Sequence, residues 1–107
     1  MIINQTYISQ SDIHGHGVFV TEDIVTGGII IQHPCVPIQS RRPIPPEIAT
    51  YLFGDEKGIA AVFGNASYIN SSKTPNVRHE LDFESNVITV TAIQDIAAHT
   101  EITLNYM

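Results

Sequence analysis

A mainly β single domain is the fold this sequence predicts, on three observations. Short runs of β-branched and aromatic residues recur along it, as in Val18-Phe19-Val20, Ile29-Ile30-Ile31 and Val87-Ile88-Thr89-Val90. Turn-forming clusters of glycine, proline, asparagine and serine separate these runs. Helical signals are confined to one or two short segments.

Residues 2–9 set Ile and Tyr among polar residues and read as a first strand. Ser11 to Gly17 is a polar, glycine-rich turn, and Val18-Phe19-Val20 is the strand that follows. Thr26-Gly27-Gly28 is a second turn. Ile29–Gln32 and Cys35–Ile38 read as strand, with Pro34 and Pro37 marking an edge or a bend. Arg41–Pro46 holds three prolines and reads as a loop. Glu47–Phe53 predicts a short helix, with Pro45 and Pro46 near its start and Gly54 after its end. Lys57–Phe63 is apolar and fits either a strand or a buried helix. Ala66–Asn70 predicts one helical turn. Val77–Phe83 and Val87–Ala92 flank Glu84-Ser85-Asn86 and predict a hairpin. Asp95–Thr100 is a turn, and Glu101–Tyr106 alternates as a last strand.

With 107 residues the chain suits one domain, 1–107, without linker or repeat. No apolar run approaches the roughly 20 residues of a membrane span, and no secretory signal precedes the first strand. With the lone Cys35, this predicts an intracellular, non-secreted protein without disulfides. The net charge is −6, and the five Lys and Arg residues form no stripe. That disfavours direct nucleic-acid binding; the acidic surface either serves solubility alone or favours basic partners such as Lys/Arg-rich peptides.

Three motifs could carry chemistry. His14-Gly15-His16-Gly17 lets backbone approach a ligand closely, or is simply a tight turn. It is not a dinucleotide fingerprint, since the third glycine is missing. No close Cys/His pair of zinc-site type accompanies it, so no metal is expected. A Cys35–His nucleophilic pair lacks an identifiable orienting group. The polar elbow Asn70-Ser71-Ser72, closing on Pro75-Asn76, offers amide donors and acceptors to a ligand or caps its own backbone. Tyr106, in the terminal Glu101-Ile102-Thr103-Leu104-Asn105-Tyr106, and Tyr51 are each either core aromatics or site residues.

In that order, the G-x-G turn, the Tyr-Ile-Asn elbow ending in Pro75-Asn76, and the E-I-T-x-x-Y terminus resemble the SET-domain protein lysine methyltransferases. The likeness runs from about Ser11 to Met107. The Tyr51-Leu52-Phe53 segment, Lys73-x-Pro75-Asn76 and Arg78-His79-Glu80-Leu81 are similar to the small stand-alone SET proteins of large algal viruses. The resemblance implies a β-clip-like fold of small curved sheets with a C-terminal pseudoknot, and no pre-SET or post-SET segment. It implies S-adenosylmethionine as cofactor and a basic, Lys-containing protein, a histone tail above all, as substrate. His14, Gly15, His16 and Gly17 would contact the methionine part of the cofactor. Asn70 would hold its amino group, and the Ser71 backbone would meet the adenine. Tyr106 would be the channel tyrosine, and Tyr51 would line the lysine side. The pattern departs from the family at Ser71, where His is usual, at His16, where the viral proteins have Tyr, and at Thr100 and Asn105. With Met107 directly after Tyr106, either a second subunit, as in a homodimer, covers the site or the site stays open and slow. A weakly active or inactive module that binds a protein partner is the alternative.

Overall fold

The computed structural model describes residues 2–39 and 43–106. Eleven strands in these residues build three small sheets: β1 (Ile3–Asn4), β2 (Thr6–Gln10), β3 (His16–Val20), β4 (Ile29–Pro34), β5 (Val36–Ile38), β6 (Leu52–Asp55), β7 (Gly58–Ala61), β8 (Asn70–Ser71), β9 (Val77–Asp82), β10 (Val87–Ala92) and β11 (Glu101–Leu104). Their orders are β1-β4-β10-β9, β2-β3-β11-β8 and β5-β7-β6.

The predicted first strand is two strands in two sheets. The break falls at Gln5, whose amide nitrogen bonds the Ile30 carbonyl while its carbonyl accepts from Thr21. Asn4 turns the chain there by accepting the Thr6 N–H on its side-chain oxygen, an Asx turn. Pro34 ends β4, and Pro37 sits in β5, an edge strand that pairs only with β7. Both positions spare the ladder a donor that proline lacks.

The predicted helix over Glu47–Phe53 is a 3-10 helix over Pro46–Tyr51, and Leu52-Phe53 begins β6 instead. The pairing of Phe53 with Ala60 overrides the helical signal, and its ring is buried. Arg41 and Arg42, the start of the predicted proline loop, lie outside the described residues, as does Met107. The ambiguous segment over Lys57–Phe63 is strand at Gly58–Ala61. The second short helix is a 3-10 turn over Asn65–Tyr68, so Asn70 already belongs to β8. The hairpin β9–β10 forms as predicted, with Asn86 in the left-handed region (φ 55°), a conformation asparagine tolerates better than most residues.

One core links the sheets. Val18, Ile30, Phe53, Leu81, Ile88 and Ile102 are among its largest fully buried contributors and come from six different strands. Full burial of such side chains is worth about 1.5–3 kcal/mol each.

The last strand is held on both sides. β11 pairs antiparallel with β3 and parallel with β8. Buried Asn76 then staples it: its Nδ2 donates to the Glu101 carbonyl at 2.9 Å, and its Oδ1 accepts the Thr103 N–H at 2.8 Å. Ser72 donates its backbone N–H to the Leu104 carbonyl. The 70–76 segment therefore grips the C-terminal strand, which is the packing the expected pseudoknot requires.

Candidate functional site

The site begins at the turn before β3. Ser11 accepts the N–H groups of Ile13 and His14 on its hydroxyl, at 2.9 and 3.3 Å, and donates its own N–H to the Gly15 carbonyl. Gly15 closes this turn at φ +49°, a region that glycine enters without strain. The result aims the carbonyls of His14 and His16 at the Asn70 side chain, which donates to them at 3.0 and 3.2 Å.

Asn70 reaches this point because β8 runs parallel to β11, with Asn70 opposite Thr103. Its Nδ2 also faces Ser11 Oγ at 3.1 Å and Glu101 Oε2 at 2.9 Å. The Ser11 hydroxyl donates to the Glu101 carboxylate, whose two oxygens lie at 2.7 and 2.9 Å. Gly17 is buried behind this group. A Cβ there would fall 2.3 Å from Glu101 Oε2, so the carboxylate occupies the room a side chain would need.

Two clefts flank Tyr106. The first, about 580 Å³, lies between His14-Gly15-His16, Tyr51, Ile69-Asn70 and Tyr106. The second, about 620 Å³, lies between Gly54-Asp55, His79 and Asn105-Tyr106. Leu52 and Tyr106 line both. The Tyr106 hydroxyl donates to the Ile69 carbonyl at 2.8 Å, and its ring lies 5.9 Å from that of Phe53. Burial pushes this phenol up to about 12. It is therefore a proton-bearing donor throughout the neutral range, not a base.

Of the residues singled out in the sequence, His14, Gly15, His16, Tyr51, Asn70 and Tyr106 line the first cleft. Tyr51 packs on Phe63, ring centroids 5.3 Å apart, and does not line the second cleft, so it sits with the glycine-loop residues. Gly17 lies behind the cleft wall. Ser71 is exposed and pairs with Leu104; its side chain is not among the lining groups. Ser11 and Glu101 belong to motifs the sequence shows but carry no site role there, yet they organise Asn70. A serine opening a glycine turn is a signal for the first. An acidic residue that opens the alternating last strand is the signal for the second. Cys35 is buried, and burial followed by the Asp82 charge raises its thiol, which suits a core residue rather than a nucleophile. Among the described residues no group of three or more His, Cys, Asp or Glu side chains could hold a metal ion.

The donor set can be tested against a ligand. Backbone carbonyls and an asparagine amide line a corner suited to an ammonium, with the Glu101 carboxylate behind Asn70, and the aromatic walls beside it suit a cation or a flat ring. The volume falls within the range of small-molecule sites. S-adenosylmethionine, which carries an ammonium, a sulfonium and an adenine, fits this chemistry.

A small β domain with two clefts meeting at one tyrosine is the architecture this geometry defines. Residues 15–107 match the family model of the SET domain, and the chain belongs to that family. It is similar to a candidate histone methyltransferase of Plasmodium falciparum at 30% identity, over 97% of this chain and 94% of that one, with a TM-score of 0.77. It is also similar to a humanized mutant of Chaetomium thermophilum Polycomb Repressive Complex 2 bound to an inhibitor, at 25% identity and a TM-score of 0.71. The same complex in an autoinhibited conformation bound to S-adenosylmethionine matches at 26% identity and a TM-score of 0.71. In both, 97% of this chain is covered but it spans only 15% of the matched chain. No protein of curated function matches the chain.

Proposed function

We propose that this protein is an S-adenosylmethionine-dependent protein lysine N-methyltransferase. The observation that carries the reading is Tyr106, whose ring walls both clefts while its hydroxyl is fixed on the Ile69 carbonyl. Two substrates entering from opposite faces would meet there. Asn70, with the His14 and His16 carbonyls, would hold the cofactor's amine in the first cleft. When bound, the cofactor supplies a methyl group on a sulfonium.

The residues of the chain then have a limited task. A lysine amine, pKa about 10.4 in water, must arrive neutral. Leu52 and Tyr106, which line both clefts, would form an apolar passage that penalises the charged form. The Tyr106 hydroxyl, its one proton given to the Ile69 carbonyl, would accept a hydrogen bond from the incoming amine and so position it. Alignment of this kind is worth about 7–11 kcal/mol in well-oriented intramolecular reactions. Asp55 in the second cleft and the net charge of −6 favour a basic substrate, for which a histone tail is the leading choice. The Tyr51-Leu52-Phe53 and Arg78-His79-Glu80-Leu81 segments further support kinship with the algal-virus SET proteins.

A module that binds a protein partner without turnover is the second reading. Tyr68 and Tyr106 line the first cleft at 48% and 45% exposure, and Phe63, packed on Tyr51, is 60% exposed, which favours cover by another protein, a second copy included. Incubation with methyl-labelled cofactor, a histone panel and Lys-rich peptides, read by mass spectrometry, decides between them. Label on lysine supports the enzyme. Tight cofactor-free peptide binding without label supports the module.

A further inference from the structure

A lysine ammonium must lose a proton before it can attack, and the second cleft holds few groups able to take one. Its lining is Leu52, Gly54, Asp55, His79, Asn105 and Tyr106. Leu52 and Gly54 carry no side-chain base, and an asparagine amide is not one. Tyr106 is excluded: burial pushes its phenol up to about 12, and its hydroxyl already donates to the Ile69 carbonyl. Asp55 accepts the Lys57 N–H at 2.8 Å, and a carboxylate is ordinarily a weaker base than an imidazole by about two to three pH units. His79 is the strongest base left in the lining.

The fold also sets which nitrogen of His79 is open. Its Nε2 lies 3.0 Å from the Gly54 carbonyl, which can only accept. Nε2 therefore carries a proton, and in the neutral ring Nδ1 keeps the lone pair. Phe53 packs T-shaped against the ring, centroids 5.5 Å apart, and His79 is half-buried, so the ring is held yet in reach of water. The charges around it favour a proton on the ring. β6 brings Asp55, the one carboxylate among the residues lining this cleft. On β9 itself, Arg78 and Glu80 alternate away from His79 and pair with each other. β10, opposite at Val90, carries no titratable residue. β11 also packs on β9, and its one titratable group, Glu101, is turned to Ser11 and Asn70.

We propose that His79 is a catalytic base: its Nδ1 takes a proton from the lysine ammonium that enters the second cleft. This rests on the methyltransferase reading above. One N–H bond of the ammonium breaks and one forms at Nδ1. The freed lone pair stays on the amine for the methyl group, and the imidazolium then gives its proton to water. In water an ammonium holds its proton more tightly than an imidazole by about four pH units. An apolar passage narrows that gap, since burial lowers a lysine pKa by as much as about 3–5 units.

The test is the pH dependence of methyl transfer to the histones and Lys-rich peptides. His79→Gln keeps a donor for the Gly54 carbonyl and removes the base. Wild-type kcat/KM is expected to climb with pH as the imidazole becomes neutral. His79→Gln should run about tenfold or more slower near neutral pH and recover toward the wild type above about pH 9, where lysine begins to lose its proton unaided. It should also recover on a peptide carrying S-aminoethylcysteine in place of lysine, because the sulfur makes that amine less basic. A merely structural role would cost the same factor at every pH and on both amines, and that result, or an unimpaired variant, would overturn the proposal. His79 does not line the first cleft, so titration with S-adenosylmethionine reports whether the variant is folded. If it is not, His79→Asn takes its place with the same expectations. A wild type that labels no lysine at any pH sinks the methyltransferase reading and this proposal with it. Label with a pH profile untouched by His79→Gln sinks the proposal alone.

Discussion

Gly17→Ala tests the wall behind the site more directly than any change inside it. Gly17 lies in β3 and is not in the left-handed region, so an alanine meets no backbone penalty there. The obstacle is Glu101. The added Cβ would stand 2.3 Å from its Oε2 and 2.7 Å from its Cδ, against 3.0 Å for the next neighbour, Ser11 Cβ. The carboxylate must withdraw and give up its bonds from Ser11 and Asn70. Hydrogen bonds to charged groups contribute about 1.5–3 kcal/mol each, and rehydration of the displaced carboxylate recovers part of that. The expected loss is about 1–3 kcal/mol. In a Glu101→Ala background the main clash is gone and only the Ser11 contact remains. Removing a glycine from the unfolded chain gains about 0.4–1 kcal/mol, which roughly offsets that tight contact. Gly17→Ala should therefore be close to neutral there. Urea denaturation of the four proteins gives the coupling between positions 17 and 101, expected at about 1–3 kcal/mol. An equal loss in both backgrounds would refute the packing argument. Titration of Gly17→Ala with S-adenosylmethionine should show the affinity falling with the carboxylate's displacement.

Tyr106→Phe removes one part-buried hydrogen bond and should cost about 0.5–1.5 kcal/mol of stability, while methyl transfer falls by well over tenfold; equal proportional losses would argue against a role in positioning. The same phenol sets an alkaline limit. Its folded pKa of about 12 lies above the unfolded value near 10, so its contribution is complete below pH 10 and disappears as pH rises from about 10 through 12. With the residue 45% exposed, that contribution is on the order of 1 kcal/mol, and alkaline stability curves of the wild type should show a step there that Tyr106→Phe lacks. Asn76→Ala strips the last strand of two side-chain bonds, one from the buried Thr103 N–H, and should lower unfolding free energy by about 3 kcal/mol in denaturant melts. Cys35, buried and raised, should resist iodoacetamide at neutral pH until the protein unfolds; rapid labelling of the folded chain would contradict its place in the core.

Strand positions were legible wherever the chemistry was local. The β9–β10 hairpin follows from two apolar runs and a polar turn, and the edge role of β5 follows from Pro37. Boundaries failed where a distant partner decides. Leu52 and Phe53 carry a helical context, but pairing with Ala61 and Ala60 makes them strand. The split at Gln5 is set by backbone partners at Ile30 and Thr21, which no local pattern announces. In the site, the glycine turn, Asn70 and Tyr106 stood out because each is unusual for its neighbourhood. Their convergence did not, because it depends on a parallel pairing between β8 and β11 that joins residues about thirty positions apart in sequence.

That pairing also explains why the sequence assigns Glu101 and Ser11 no role in the site. Taken alone, Ser11 is a turn residue and Glu101 is the polar start of a strand. Their importance arises only once β11 lies between β3 and β8, which sets position 101 beside the glycine turn and Thr103 opposite Asn70. Asn76 fixes that placement by bonding the backbone of Glu101 and Thr103, so the staple and the cleft share one strand. A substitution that loosens the staple should therefore shift Asn70 as well. Asn76→Ala is expected to weaken S-adenosylmethionine binding even at temperatures where the protein remains folded. Unchanged affinity in a fully folded Asn76→Ala protein would mean that the cleft is set by β3 and its turn alone, and that the last strand only supports it.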